Sequence, residues 1–277
     1  MGVNKKDSLR QRFGRILRRR REFASKASWV ASEYLHILNA LPSVPLPHRH
    51  RDFSIRHLSL SQPVLLRPNT CDLAAMAELL GNGEYRNVLE FVRPPVRNVL
   101  DLGGNIGLSV RLWQEYFPDV SVLVVEPAAN NLSQLTKNIE AGPSPRQVVI
   151  MRAFASARPG EAAISCTCEG MGVRMTDAAG DDSEVIPKVA VRDLVLRTAG
   201  SAGRVGLLKC DVEGSEAEIF ADCGEWLSKV DAAVVETHPP YNAAALLADV
   251  EKAWVRVAKR LVVEKDGGVY LVWMQFE

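Results

Sequence analysis

The chain has 277 residues, a formal net charge of +1 and a hydrophobic share of 47%, enough apolar material for one sizeable core with an extension. The near-neutral balance excludes a whole-chain preference for nucleic acid, and neither an apolar run of membrane-spanning length nor a secretory pattern is present. The five cysteines, Cys71, Cys166, Cys168, Cys210 and Cys223, are odd in number and irregularly spaced, which excludes a disulfide framework or a zinc module and makes a reducing, cytoplasmic setting the simplest one.

Charge is unevenly placed. Residues 1–22 hold nine Lys and Arg against Asp7 and Glu22, a local +7 that leaves −6 for the remainder. Leu9, Phe13, Ile16 and Leu17 fall on one helical face within this run. Three readings fit it: a helix lying peripherally on an anionic membrane, a nucleic-acid arm, or a solvated basic helix. A second helix is expected over Phe23–Leu41, then a linker broken at Pro42, Pro45 and Pro47, with His48, His50 and His57 read as surface residues. The expected division is a basic helical extension and linker over 1–60 and an α/β domain over 61–277.

Within that domain the stretch Val99–Gly107 is the most informative. The apolar pair Val99-Leu100 ends at Asp101, a glycine-dense turn follows, and Leu108, Leu112, Trp113, Tyr116 and Phe117 mark one face of a helix. Strand, tight turn and helix make the first unit of a nucleotide-binding α/β sheet. The spacing is not Gly-x-Gly-x-x-Gly, because Asn105 and Ile106 stand where the second glycine is needed, and Asp101 would repel a pyrophosphate. The pattern Asp101-x-Gly103-Gly104-Asn105-x-Gly107 resembles motif I of S-adenosylmethionine-dependent methyltransferases, whose cofactor carries a sulfonium and an α-ammonium group that an acid attracts. The next strand, Val120–Glu126, ends in one acid before Pro127. That acid lies about 20 residues beyond the glycines, the register of a carboxylate that binds ribose hydroxyls. Leu132, Leu135 and Ile139 mark the following helix.

Further strands are expected at Val148–Phe154, Val205–Asp211 and Ala232–Thr237. Shorter apolar segments at Glu161–Thr167 and Val185–Val191 flank a polar loop at Asp177–Ser183. Tyr241–Val255 reads as a helix, and Lys259–Glu264 and Val269–Gln275 flank Asp266-Gly267-Gly268, a hairpin signal. Periodicity alone gives an open, mostly parallel α/β sheet. Together with the motif it resembles the Rossmann-like seven-stranded methyltransferase sheet, mostly parallel with a C-terminal antiparallel hairpin, preceded here by an N-terminal helical extension.

The likeness sharpens at Leu207–Glu216, Leu-Leu-Lys-Cys-Asp-Val-Glu-Gly-Ser-Glu, which resembles the signature of FkbM-type methyltransferases. Leu66–Asp72 with Gly83-Glu84-Tyr85, Val191–Leu194 and Val235–His238 resemble other segments of that family, so the likeness runs from Pro63 to Gln275. It departs from the family at Gly104-Asn105 and at Arg192, where an apolar residue is usual. The resemblance implies methyl transfer from S-adenosylmethionine to a hydroxyl of a sugar, glycolipid or secondary metabolite. It implies cofactor residues at Asp101, Gly103, Gly104, Asn105, Gly107, Glu126, Pro127, Ala153, Phe154 and Asp211.

An alcohol is a weak acid, so its oxygen needs a base or a metal ion. The fourth and fifth strands end near Asp211 and Glu236, which on adjacent strands would share Mg²⁺, a hard cation suited to oxygen ligands. His238, whose ordinary pKa lies near neutrality, is the competing general base, and both routes stay open. Glu213 and Glu216 are equally explained by favourable charge at the start of the helix after the fourth strand. Nucleic acid is not the expected acceptor, since Asp211-Val212-Glu213-Gly214 stands where a nucleic-acid methyltransferase more often carries an aromatic–proline tetrad such as Asn-Pro-Pro-Tyr. The alternative function is a methyltransferase-like binding module docked to a membrane or RNA by the basic arm.

Overall fold

Ser25 begins the first helix. Its hydroxyl oxygen accepts a hydrogen bond from Ser28 N at 3.1 Å, satisfying one of the donors that a helix start leaves open, and α1 runs Lys26–Ala40. The helix does not start at Phe23 as expected, because Phe23 forms a β-bridge with His57. The structure, a computed structural model, describes residues 20–41, 46–48, 50–166, 173–176 and 184–277. The basic stretch up to residue 19, Pro42, Pro45, Cys168 and the loop Asp177–Ser183 lie outside the described residues. No described helix is long and apolar enough to cross a membrane.

The chain forms two compact units that divide between Glu84 and Tyr85, whereas the sequence reading divides it at 60/61. In the first unit, β1 (Phe53–Ile55) pairs antiparallel with β2 (Val64–Leu66), and α2 (Asp72–Met76) follows. Arg67 donates from Nε and Nη2 to the two oxygens of Asp72, at 2.9 and 2.7 Å. This bidentate pair fixes the turn into α2. His57 is not a surface residue as expected. It is buried, its Nδ1 accepts from Ser59 N at 3.1 Å, and its ring stands edge-on to Phe23. His48 and His50 are exposed.

The second unit begins with α3 (Val88–Phe91) and β3 (Asn98–Leu102). All five residues of β3 are buried, as a strand covered on both faces requires. Then come α4 (Leu108–Tyr116), β4 (Ser121–Val125), α5 (Ala129–Glu140) and β5 (Val148–Met151). The expected strand Val148–Phe154 is in fact two. β5 lies at the sheet edge with Val149 exposed, and past Arg152 the chain leaves that sheet. β6 (Phe154–Ser156), β7 (Gly160–Cys166), β8 (Val173–Thr176) and β9 (Val185–Ala190) make a separate four-stranded sheet of order β6-β9-β7-β8. The chain continues through α6 (Val191–Ala199), β10 (Leu207–Cys210), the short α7 (Glu216–Phe220) and α8 (Gly224–Leu227), β11 (Ala232–Thr237), α9 (Ala243–Lys252), β12 (Val257–Glu264) and β13 (Tyr270–Phe276).

The main sheet has seven strands in the order β12-β13-β11-β10-β3-β4-β5. β13 is antiparallel to both neighbours, and the other pairings are parallel. This is the Rossmann-like, mostly parallel α/β sheet with a terminal antiparallel hairpin that the sequence leads one to expect. Alternation along the strands builds two unlike faces. Leu100, Leu102, Leu208, Cys210 and Val235 share a core with Val195, Phe220 and Trp226. Elsewhere in the unit, aromatic rings meet at offset contacts: Trp113 with Tyr85 at 5.0 Å between centroids, and Trp273 with Phe91 at 5.7 Å. Asp101 reaches into the first of these pairs.

Candidate functional site

From β3 the chain winds outward through β4 and β5, then returns to place β10 and β11 on the other side of β3. Such a reversal leaves a crevice beyond the carboxyl ends of the strands. The crevice here is walled by the residues that follow four strands: Gly103 and Asn105 after β3, Glu126 and Pro127 after β4, Ala153 and Phe154 after β5, and Asp211 and Glu213 after β10. Backbone bonds hold the strand ends together. Gly103 N and Gly104 N both donate to Val125 O, at 2.9 and 3.0 Å, and Asp211 N donates to Leu102 O at 3.1 Å. Position 103 admits only glycine, because φ is +80° and a Cβ would lie 1.8 Å from Asp211 O. At position 104 a Cβ would lie 2.2 Å from Val124 Cγ2, and Gly107 starts α4 against Leu135. Gly104 and Gly107, expected at the cofactor, therefore stand behind the wall and set its packing.

Glu126 caps the turn. Its carboxylate accepts from Asn105 N at 2.9 Å, from Ala128 N at 3.0 Å and from Asn131 Nδ2 at 3.3 Å. Burial pushes its pKa up to about 7, against the pull of the Ala128, Asn105 and Asn131 donors and of the Lys209 charge. The carboxylate thus ties the glycine turn of β3 to the end of β4 while lining the cleft. Beside it, Asn105 takes a left-handed φ of 47°. Its buried Oδ1 has no hydrogen-bond partner among the described residues.

Asp101 does not line the cleft. It is fully buried, Trp113 Nε1 donates to its Oδ2 at 2.8 Å, and Lys209 Nζ lies 3.6 Å from its Oδ1. Burial raises the Asp101 pKa, with the Lys209 charge and the Ser109 and Trp113 hydrogen bonds opposing. Lys209 is the site residue that the sequence reading missed. It sits directly opposite Asp101 in the β3–β10 register, donates to Leu102 O at 3.2 Å and Gly103 O at 2.5 Å, and lies 3.3 Å from Asp211. Burial disfavours its charge, but Asp211 and Asp101 hold its pKa above the ordinary value. One signal was available: a lysine inside the otherwise apolar run Leu207–Cys210 must find buried partners.

At the far end of the cleft the chain after β10 gathers a charged cluster. Glu213 and Gly214 take φ of +56° and +108°, so no helix starts at Glu213 as expected. α7 begins at Glu216, whose carboxylate reaches His238 instead of serving only as helix-end charge. Glu216 Oε1 lies 2.7 Å from His238 Nδ1. The other ring nitrogen, Nε2, faces Glu236 at 3.5 Å, Glu213 at 3.6 Å and Asp211 at 4.0 Å. Burial disfavours the imidazolium, yet Glu216, Glu236 and Asp211 push its pKa up to about 10. Glu236, expected to share a metal with Asp211, accepts from Lys265 Nζ through its Oε2 at 2.8 Å. The donors that come together within 4.8 Å are Asp211, Glu213 and His238.

No family model matches the chain, and no curated protein is similar to it in sequence. Solved structures follow part of its path. The methyltransferase FkbM from Methylobacillus flagellatus KT is 14% identical with a TM-score of 0.46, over 73% of this chain and 53% of that one, so the chain spans about half of its length. The precorrin-6y C5,15-methyltransferase from Geobacter metallireducens GS-15 is 14% identical, with a TM-score of 0.43 over 70% of this chain and 88% of that one. The N-terminal domain of EvdMO1, solved with SAH bound, is 14% identical, with a TM-score of 0.41 over 70% of this chain and 80% of that one. These are likenesses of chain path over part of each molecule.

Proposed function

We propose that the chain is an S-adenosylmethionine-dependent methyltransferase acting on a hydroxyl of a sugar, glycolipid or secondary metabolite. The observation that carries this reading is the cleft itself: a carboxylate, Glu126, at the end of β4 beside the Gly103–Asn105 turn, and two further carboxylates, Asp211 and Glu213, on the opposite wall. The residues present fit the cofactor. Glu126 would accept from the ribose hydroxyls. The unpartnered, buried Asn105 Oδ1 would accept from a donor of the methionine portion, and Ala153 and Phe154 supply an apolar wall. When bound, the cofactor supplies an already activated methyl group. The protein's part is to align the acceptor oxygen with it, exclude water and help the hydroxyl proton leave. Asp211 and Glu213, which line the end of the cleft nearer His238, would take that task.

Calorimetry with S-adenosylhomocysteine tests the reading. The wild-type chain is expected to bind it and to ignore NAD(H). Glu126→Ala is expected to weaken binding by about 1.5–3 kcal/mol, the scale of a hydrogen bond to a charged group. Absence of binding at millimolar ligand by folded protein overturns the reading and leaves the binding-module alternative. Labelled methyl transfer into extracts, followed by mass spectrometry of the product, identifies the acceptor.

A further inference from the structure

His238 follows the last residue of β11, and its side chain is 8% exposed. Its Nδ1 is accounted for by Glu216 at 2.7 Å. Nε2 is not, although Glu236, Glu213 and Asp211 stand 3.5, 3.6 and 4.0 Å away. A ring N–H free to choose among three carboxylates closes on one of them to about 2.9 Å. The 3.6 and 4.0 Å from Nε2 to Glu213 and Asp211 instead fall within the spacing of ligands around a common centre. Donors about 2.1 Å from one metal ion lie about 3.0 Å apart when adjacent and about 4.2 Å when opposite. Glu216 is fully buried, and its Oε2 has no hydrogen-bond partner among the described residues. Its other oxygen, which also accepts from Gly214 N at 3.2 Å, fixes the imidazole as carboxylates fix metal-bound histidines.

We propose that His238 Nε2, Asp211 and Glu213 form a divalent-cation site, with Glu216 orienting the ring and Glu236 left to Lys265. One imidazole nitrogen with carboxylate oxygens suits Mn²⁺ and related cations and not the thiolate-seeking metals. Asp211 and Glu213 also line the cleft, so the ion sits where an acceptor hydroxyl would bind and lowers the pKa of that oxygen. This role rests on the methyltransferase reading, whereas the binding itself does not.

Mn²⁺ binding to the full chain, followed by electron paramagnetic resonance of the free ion, tests the site. The wild type is expected to take up one ion per chain, and the bound ion to show nitrogen coupling from an imidazole. His238→Ala is expected to abolish both signals, Glu213→Gln to weaken binding at least tenfold, and Glu216→Gln to weaken it 10–100-fold. Glu236→Gln is expected not to weaken binding. Absence of Mn²⁺ binding by folded wild type at millimolar ion, or binding that survives His238→Ala, overturns the proposal. Should His238→Ala fail to fold, Glu213→Gln reads the same loss, since the Glu213 side chain is 29% exposed and tolerates the change. S-adenosylhomocysteine affinity is measured on the same samples. Metal binding without it keeps the site and removes the methyltransferase reading; the converse keeps that reading and removes the site.

Discussion

Glu126 is pulled toward opposite protonation states by its surroundings. Three N–H donors favour the carboxylate, and burial favours the acid, with the balance at about 7 against an ordinary 4.5. Between those values the folded chain holds a proton that the unfolded chain releases. The stability this group contributes is therefore fully present below pH 4.5 and is lost as pH rises through 7, about 3 kcal/mol in all. Thermal denaturation across that window should show the loss in wild type and a flatter profile in Glu126→Gln. Ribose hydroxyls would favour the ionised form, so S-adenosylhomocysteine affinity should fall about tenfold for each pH unit below 7. Gly103→Ala should cost more than the about 1–3 kcal/mol usual for overpacking, because the atom met is the Asp211 backbone oxygen and the backbone is left-handed, read as a lowered urea midpoint. Glu126 and Asp211 were legible in the sequence because an acid that closes an apolar run has few structural reasons to be there. Lys209 and the Glu216–His238 contact were not, because their partners lie on other strands and 22 residues apart.

Between elements, the join that matters most is β3 with β10. Lys209 spans it, meeting Asp101, Leu102 O and Gly103 O on one side and Asp211 on the other. Lys209→Met should destabilise the unit by about 3–5 kcal/mol, because it leaves the buried Asp101 charge without its cation. Adding Asp101→Asn should recover part of that loss in a double-mutant cycle by chemical denaturation. If the double variant is no more stable than Lys209→Met, the pair does not act as a unit. Most strands of the main sheet were readable because they are apolar runs ended by a polar or turn residue, whereas β12, which carries Lys259 and Arg260, was readable from the hairpin signal that follows it. Of the four-stranded sheet, β7 and β9 coincide with the expected apolar segments, but their pairing with β6 and β8, out of chain order, was not readable. The break after Met151 shows the cost of reading apolar content alone. Val148–Phe154 is apolar at both ends, yet its halves belong to different sheets.

Across the whole molecule, charge is divided between a +7 segment at residues 1–22 and a −6 remainder. The arm is expected to draw the chain to anionic vesicles in a co-sedimentation assay, with binding that falls as salt rises. A deletion that tests this should stop at residue 19, because Glu22 O accepts from Leu58 N at 2.8 Å. It should remove vesicle binding and leave S-adenosylhomocysteine affinity unchanged, and vesicle binding that persists would place the contact elsewhere. The cleft and the charged cluster are not separable in this way. Asp211 and Glu213 wall the first and face His238 in the second. Two occupants that touch the same side chains obey a reciprocity: whatever factor S-adenosylhomocysteine applies to Mn²⁺ affinity, Mn²⁺ must apply to S-adenosylhomocysteine. Titrations in both orders should return one number, and Glu213→Gln should move it toward unity. Neither affinity is then a constant of the protein, since each depends on how much of the other ligand is present.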